Sequence, residues 1–243
     1  MPIRLSLSTF LFAGLIFSVN VYAADKIVAG HFSNMSPNTM LPEQWQPLTF
    51  EEIENQTAYF LVSDNNTPVV KAVSNASASG MVHKIAIDPT THPILKWRWK
   101  VSNIIESADL KTKDGDDYPA RIYVTFEYDP EKLSGWQSFK AELYKSVNGE
   151  YPPLAVLNYV WDNKHDTNTM TDNAYTDRVK MIVVRSGKDK LGEWVNQERN
   201  IYEDYKRAFG EAPGKITGIA IMTDTDNTKE AAMAYYGDIA FSK

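Results

Sequence analysis

Beyond its first two dozen residues, the chain alternates apolar and polar side chains with a period of two. Alternation rich in β-branched and aromatic residues marks half-buried strands. It predicts strands at Ile27–Phe32, Ala58–Ser63, Val69–Ser74, Gly80–Ile87, Leu95–Val101, Arg121–Tyr128, Ala155–Trp161, Val179–Ser186, Glu193–Ile201, Thr217–Thr223 and Ala232–Phe241. Turn-forming runs separate them, among them Ser63–Pro68, Asp88–Pro93, Tyr151-Pro152-Pro153 and Asp224–Thr228. Two stretches instead repeat at helical spacing. Leu133–Tyr144 carries Leu133, Trp136, Phe139, Leu143 and Tyr144 behind Ser134, an N-cap residue. Ile201–Phe209 carries Tyr202, Tyr205 and Phe209 and stops at Gly210, a natural C-cap. The succession predicts an all-β fold: a two-sheet antiparallel β-sandwich, jelly-roll-like, with one or two short helices.

Strand parity sorts side chains by face. In Leu95–Val101, Leu95, Trp97, Trp99 and Val101 share one face and Lys96, Arg98 and Lys100 the other. The tryptophans are therefore assigned to the core. Arg121, Tyr123, Thr125 and Glu127 lie opposite Ile122, Val124, Phe126 and Tyr128, and Asn158 and Asp162 lie opposite Leu157, Tyr159 and Trp161. If these three strands are neighbours in one sheet, their polar groups converge on one surface. That surface is either an ordinary solvated face or one suited to hydroxyl-rich ligands.

The opening residues follow another pattern. Arg4 precedes an apolar run from Leu5 to Val19, and Val21-Tyr22-Ala23 follows. This is the layout of a secretory signal, with cleavage expected after Ala23 or, second, Ala24. A membrane anchor would need a longer run, less broken than this one is by Ser6, Ser8 and Thr9. Residues 24–243 are expected to form a single domain, since no linker, repeat or low-complexity segment divides them. With no cysteine in the chain, neither a lipid-modified cysteine nor a disulfide is available, and the core alone must stabilise it.

A net charge of −6 argues against nucleic acid and anionic membrane as partners, because both need clustered Lys and Arg. The 13 Tyr and 6 Trp fit either stacking platforms for sugars or the core of a large sandwich.

The most distinctive segment is Lys113-Asp114-Gly115-Asp116-Asp117-Tyr118-Pro119-Ala120-Arg121. Its carboxylates can help hold Ca2+, can pair with Arg98 or Arg121 to order the loop, or can form a plain acidic turn. Asp224-Thr225-Asp226-Asn227-Thr228 reads as an Asx-turn, a Ca2+ loop or a ligand rim. The metal candidates are Asp114, Asp116, Asp224 and Asp226; no other cofactor is expected. The four histidines, His31, His83, His92 and His165, lack metal-ligand spacing, and no Gly-x-Ser-x-Gly or phosphate-binding glycine loop occurs.

Together, Leu95–Val101 with its Trp-x-Trp, Lys113–Val124 with its Asp-Asp-Tyr-x-x-Arg, Asn158–Trp161, Gly218–Thr228 and Ala234–Ile239 resemble a bacterial family of exported proteins, the domain of unknown function number 3047. The resemblance spans nearly all of the chain after the signal. It implies a periplasmic or secreted protein and carries no activity or site to transfer. By fold-level analogy, Tyr235–Phe241 also looks like the last strand of jelly-roll carbohydrate-binding modules.

The functional expectation is non-catalytic binding of a glycan or cell-envelope saccharide by Arg98, Asp116, Asp117, Arg121, Tyr123, Glu127, Asn158 and Asp162. Arginine forks would hold hydroxyls, and Tyr123 would stack. One alternative is a polysaccharide hydrolase or lyase using Glu127 and Asp162. Another is a structural or assembly protein without a small ligand, its protein partner unknown.

Overall fold

Residues 25–127 and 155–243 are described by a computed structural model. The alternating segments form β1 (Lys26–Gly30), β2 (Trp45–Leu48), β3 (Ala58–Asp64), β4 (Thr67–Asn75), β5 (Ala78–Ile87), β6 (Ile94–Val101) and β7 (Arg121–Phe126). After them come β8 (Val156–Asp162), β9 (Met170–Asn173), β10 (Thr176–Ser186), β11 (Val195–Asn200), helix α1 (Ile201–Phe209), β12 (Ile216–Asp224) and β13 (Ala231–Ser242). The helix expected at Leu133–Tyr144 lies outside the described residues.

The strands build two sheets. One runs β11-β6-β13-β4-β3, and the far half of β13 takes β1 on the edge where its near half takes β4. The other runs β2-β5-β12-β7-β8-β10-β9. All pairs are antiparallel except β8 with β10. The exception arises because β9 carries the chain back along the sheet before β10 sets out.

Two edge strands escape the sequence pattern. β2 contains Pro47, which has no N–H for a ladder and belongs at a sheet edge. β9 reads Met-Thr-Asp-Asn, too short and polar to show alternation.

The core lies between the sheets. Trp97 and Trp99 of β6 point inward and are 3% and 0% exposed, as parity assigns them. Trp97 lies 5.5 Å from Tyr159 and Trp99 6.2 Å from Trp161, ring centre to ring centre, so β6 and β8 face each other across the sandwich. α1 closes one end with Tyr205, whose ring is 4.6 Å from Phe126. The Asn200 side chain accepts from Glu203 N at its start, and Gly210 ends it at a φ of 77°. Asp204 anchors it, accepting from Arg199 and from Tyr159 Oη at 3.0 Å.

Candidate functional site

The outer side of the β7–β8–β12 sheet is only partly open to water. The chain from Leu110 to Tyr118 packs on it, burying Leu110 and Tyr118 against Val160, Met181 and Val183. This covering segment begins its final turn at Gly115. A Cβ there would come within 2.5 Å of Asp109 N, so the backbones pass too closely for any other residue. The turn delivers Asp116 and Asp117 to the sheet, beside Arg121 of β7.

A second loop meets it. Thr225 fixes the run after β12: its N donates to Ser77 O at 2.9 Å, and its Oγ1 lies 2.7 Å from Ser74 Oγ. Asp117 then caps this loop, accepting from Asn227 N at 3.2 Å and Thr228 N at 2.6 Å. The two acidic segments are thus joined, a contact that sequence alone leaves open.

Arg121 is the centre of the arrangement, 4% exposed. Its Nη2 donates to Asp224 Oδ2, and its Nη1 lies 3.8 Å from Asp116 Oδ1. Its guanidinium also sits 5.0 Å from the Tyr118 ring and 5.4 Å from the Tyr123 ring. Asn173 Nδ2 donates to Asp116 Oδ2 at 2.9 Å, tying in the β9–β10 hairpin. Around this floor is a pocket of about 290 Å³, lined also by Phe50, Ile53, Tyr175, Asp226 and Asn227. Phe50 and Tyr175, 39% and 54% exposed, are its apolar rim. Asn227 Nδ2 holds Tyr175 Oη at 3.0 Å.

The electrostatics follow from burial. Removal from water pushes the carboxyl of Asp116 above its ordinary value, although Arg121 opposes this. Asp226 is raised too, by burial and then by the neighbouring Asp117 carboxylate. Burial lifts the Tyr123 hydroxyl to about 12. Ligand oxygens of Asp117, Asp224 and Asp226 lie within 4.8 Å of one another, so these three can hold a cation. They would supply three of the six to eight oxygens Ca2+ takes.

The sequence-predicted residues separate accordingly. Asp116, Asp117, Arg121 and Tyr123 come together. Asn158 and Asp162 share their sheet face but are 0% and 1% exposed, sealed beneath the covering segment. Asp162 spends Oδ1 on Lys164 N and His165 N, at 2.8 and 2.6 Å.

Arg98 does not belong with them. β6 lies in the opposite sheet, so Arg98 points away from the other side of the sandwich. It lies over Gly237 and stacks on Trp194, 4.4 Å from the ring centre.

Nor do Glu127 and Asp162 form a pair. β7 and β8 match Arg121 with Val160 and Thr125 with Val156, which sets the two carboxylates at opposite ends. Eight residues of strand separate them, roughly 26 Å, where an acid–base pair on a glycoside needs less than about 10 Å. Of the metal candidates, Asp224 and Asp226 meet with Asp117. Asp116 turns to Arg121, and Asp114 is exposed.

A family model described as a protein of unknown function, DUF3047, matches residues 43–240. The chain belongs to this family. The DUF3047 match runs from just before β2 into β13, so it takes in both acidic loops and both sheets. No curated protein matches the chain. Among solved structures it is similar to the family 11 carbohydrate-binding module of the cellulosomal cellulase Lic26A-Cel5E of Clostridium thermocellum. The identity is 10%, over 91% of this chain and 96% of that one, with a TM-score of 0.43.

Sequence reasoning missed Phe50, Asn173 and Tyr175 as pocket residues; Asn227 falls in the segment it read as an Asx-turn, a Ca2+ loop or a ligand rim. Asn173 precedes a tight turn made by Ala174 and Tyr175, visible in Asp172-Asn173-Ala174-Tyr175. Nothing local says that this hairpin folds over β7.

Proposed function

We propose that this DUF3047 member is an exported, non-catalytic binding protein whose pocket beside Arg121 holds one saccharide unit. The observation that carries the reading is a half-open pocket with a floor of carboxylates, carboxamides and a guanidinium beneath an aromatic rim. Carboxylates and carboxamide oxygens accept from sugar hydroxyls, Arg121 and Asn227 donate to sugar oxygens, and Tyr175 or Phe50 covers the apolar face of a ring. At about 290 Å³ the space sits at the low end of small-molecule sites and suits one ring better than a chain. The floor is pre-organised by its own hydrogen bonds, so little ordering remains to oppose binding. Export rests on the opening residues, which have the charge and apolar pattern of a secretory signal.

A glycan array probed with the protein from Asp25 onward tests the reading. A bound saccharide whose retention disappears in Tyr175→Ala is the expected result. An array with no binder, or a binder unaffected by Tyr175→Ala, overturns it.

A further inference from the structure

The outer side of the other sheet carries a row of side chains that the pocket does not use. Strand register places Phe60 of β3 beside Lys71 of β4, Lys71 beside Tyr235 of β13, and Tyr235 beside Lys100 of β6. Trp194 continues the row, because Val195 after it pairs with Trp99. Their chain neighbours Leu61, Val70, Ala72, Ala234, Tyr236 and Trp99 belong to the core, so parity turns the row outward. Three rings, Phe60, Tyr235 and Trp194, thus stand on alternate strands, with Lys71 and Lys100 between them. Strands lie about 4.8 Å apart, which sets successive rings roughly 9.5 Å apart in a line across the sheet. Phe60 is 50% exposed, and Tyr235 and Trp194 are half-buried. Asp64 fixes the far end, accepting from Trp194 Nε1 and from Lys100 Nζ, both at 2.7 Å.

Charge on this face runs against that of the chain, which is −6 overall. The carboxylates beside the row are engaged: Asp64 as above, Glu198 by Lys96 at 2.9 Å, and Asp238 by Ser33 N at 2.8 Å and Ser33 Oγ at 2.5 Å. Lys71 and Arg98 have no carboxylate partner among the described residues. They lie against rings instead, Lys71 5.9 Å from the centre of Tyr235 and Arg98 4.4 Å from that of Trp194. Beside Arg98 is a hollow of about 330 Å³, lined also by Lys26 and Lys96.

The rings are regular and the uncompensated cations are sparse. A nucleic acid, with a phosphate on every unit, asks for denser positive charge. A neutral glycan leaves Lys71 and Arg98 unused. A linear sugar chain with a carboxylate on every second unit meets both features: sugar faces lie on the rings, and carboxylates reach the cations.

We infer that this face is a second binding surface, for a linear acidic polysaccharide whose carboxylates recur on alternate sugars. The chain crosses the strands from Phe60 toward Trp194, with carboxylates at Lys71 and at Arg98. This goes beyond the pocket reading and does not rest on it.

NMR titration of the isotope-labelled protein from Asp25 onward tests it with three probes. They are a hexasaccharide of alternating glucuronate and N-acetylglucosamine, the neutral hexasaccharide of N-acetylglucosamine, and an oligothymidylate. The acidic hexasaccharide is expected to bind at least about tenfold more tightly than either of the others, a gap of about 1.4 kcal/mol. It should shift the amides around Phe60, Lys71 and Tyr235. Lys71→Gln should remove most of the advantage over the neutral hexasaccharide, and added NaCl should erode it. Phe60→Ala should weaken both glycans. Should a variant not fold, the amide shifts of the parent still locate the ligand. Equal binding of the two hexasaccharides, tighter binding of the oligothymidylate, no binding of the acidic hexasaccharide, or shifts confined to the pocket beside Arg121 each overturn the inference.

Discussion

Arg121 and Asp224 are buried together: the guanidinium on β7 donates to the carboxylate that ends β12, and the pair is 4% and 1% exposed. Desolvating two charges costs several kcal/mol, recovered only while both remain.

Removing one partner strands the other. Asp224→Asn or Arg121→Met should each cost about 3–5 kcal/mol, while the apolar double replacement Arg121→Met with Asp224→Leu should cost markedly less than the sum. Urea denaturation of the four proteins measures the coupling. Additive costs would show that the pair is not a unit.

The acidic groups make the opposite prediction for pH. Asp116 and Asp226 titrate above their unfolded value of 3.8, so the folded state binds more protons than the unfolded one across that interval. Stability from these groups is full below 3.8 and is lost as pH rises through their raised folded values. Asp226→Asn should therefore stabilise the protein at pH 7 and leave it nearly unchanged well below pH 3.8, as seen by chemical denaturation at both. A variant less stable than the parent at pH 7 would contradict the assignment.

The covering segment depends on one close approach. Gly115→Ala puts a methyl within 2.5 Å of Asp109 N, whose N–H donates to Gly115 O at 2.8 Å, so backbone must move. The expected cost is about 1–3 kcal/mol, as for an overpacked site, with loss of the proposed saccharide binding because Asp116 and Asp117 shift. A loss of binding with unchanged stability would mean that the turn yields locally instead.

Tyr175 separates binding from folding. Its ring is 54% exposed and outside the core clusters, so Tyr175→Ala should keep stability within about 1 kcal/mol of the parent. A large fall in melting temperature would show that the β9–β10 hairpin relies on its bonds to Asn227 and Lys113 for the fold itself.

Much of the architecture is legible because period-two alternation is a local signal. All eleven expected strands exist, and even the inward turn of Trp97 and Trp99 follows from counting residues. Sheet membership is not local. Trp97 and Tyr159 look alike by parity, yet they face each other from opposite sheets, so Arg98 and Asn158 point to opposite sides of the molecule. Parity says which residues share a face of one strand; it says nothing about which strands are neighbours. The same gap hides the burial of Asn158 and Asp162, since the segment covering them is irregular and comes from before β7. The meeting of Asp117 with Asp224 and Asp226 was open in sequence because it joins loops about a hundred residues apart.

The last two strands lie in the middle of the two sheets: β12 between β5 and β7, and β13 between β6 and β4 with β1. While a chain is still being made, β5 and β7 have no strand to bridge them, and neither do β6 and β4. Both layers can close only once β12 and β13 have emerged, so folding waits for synthesis to reach them. For the export proposed above that delay is an advantage, because threading through a translocon needs an extended chain.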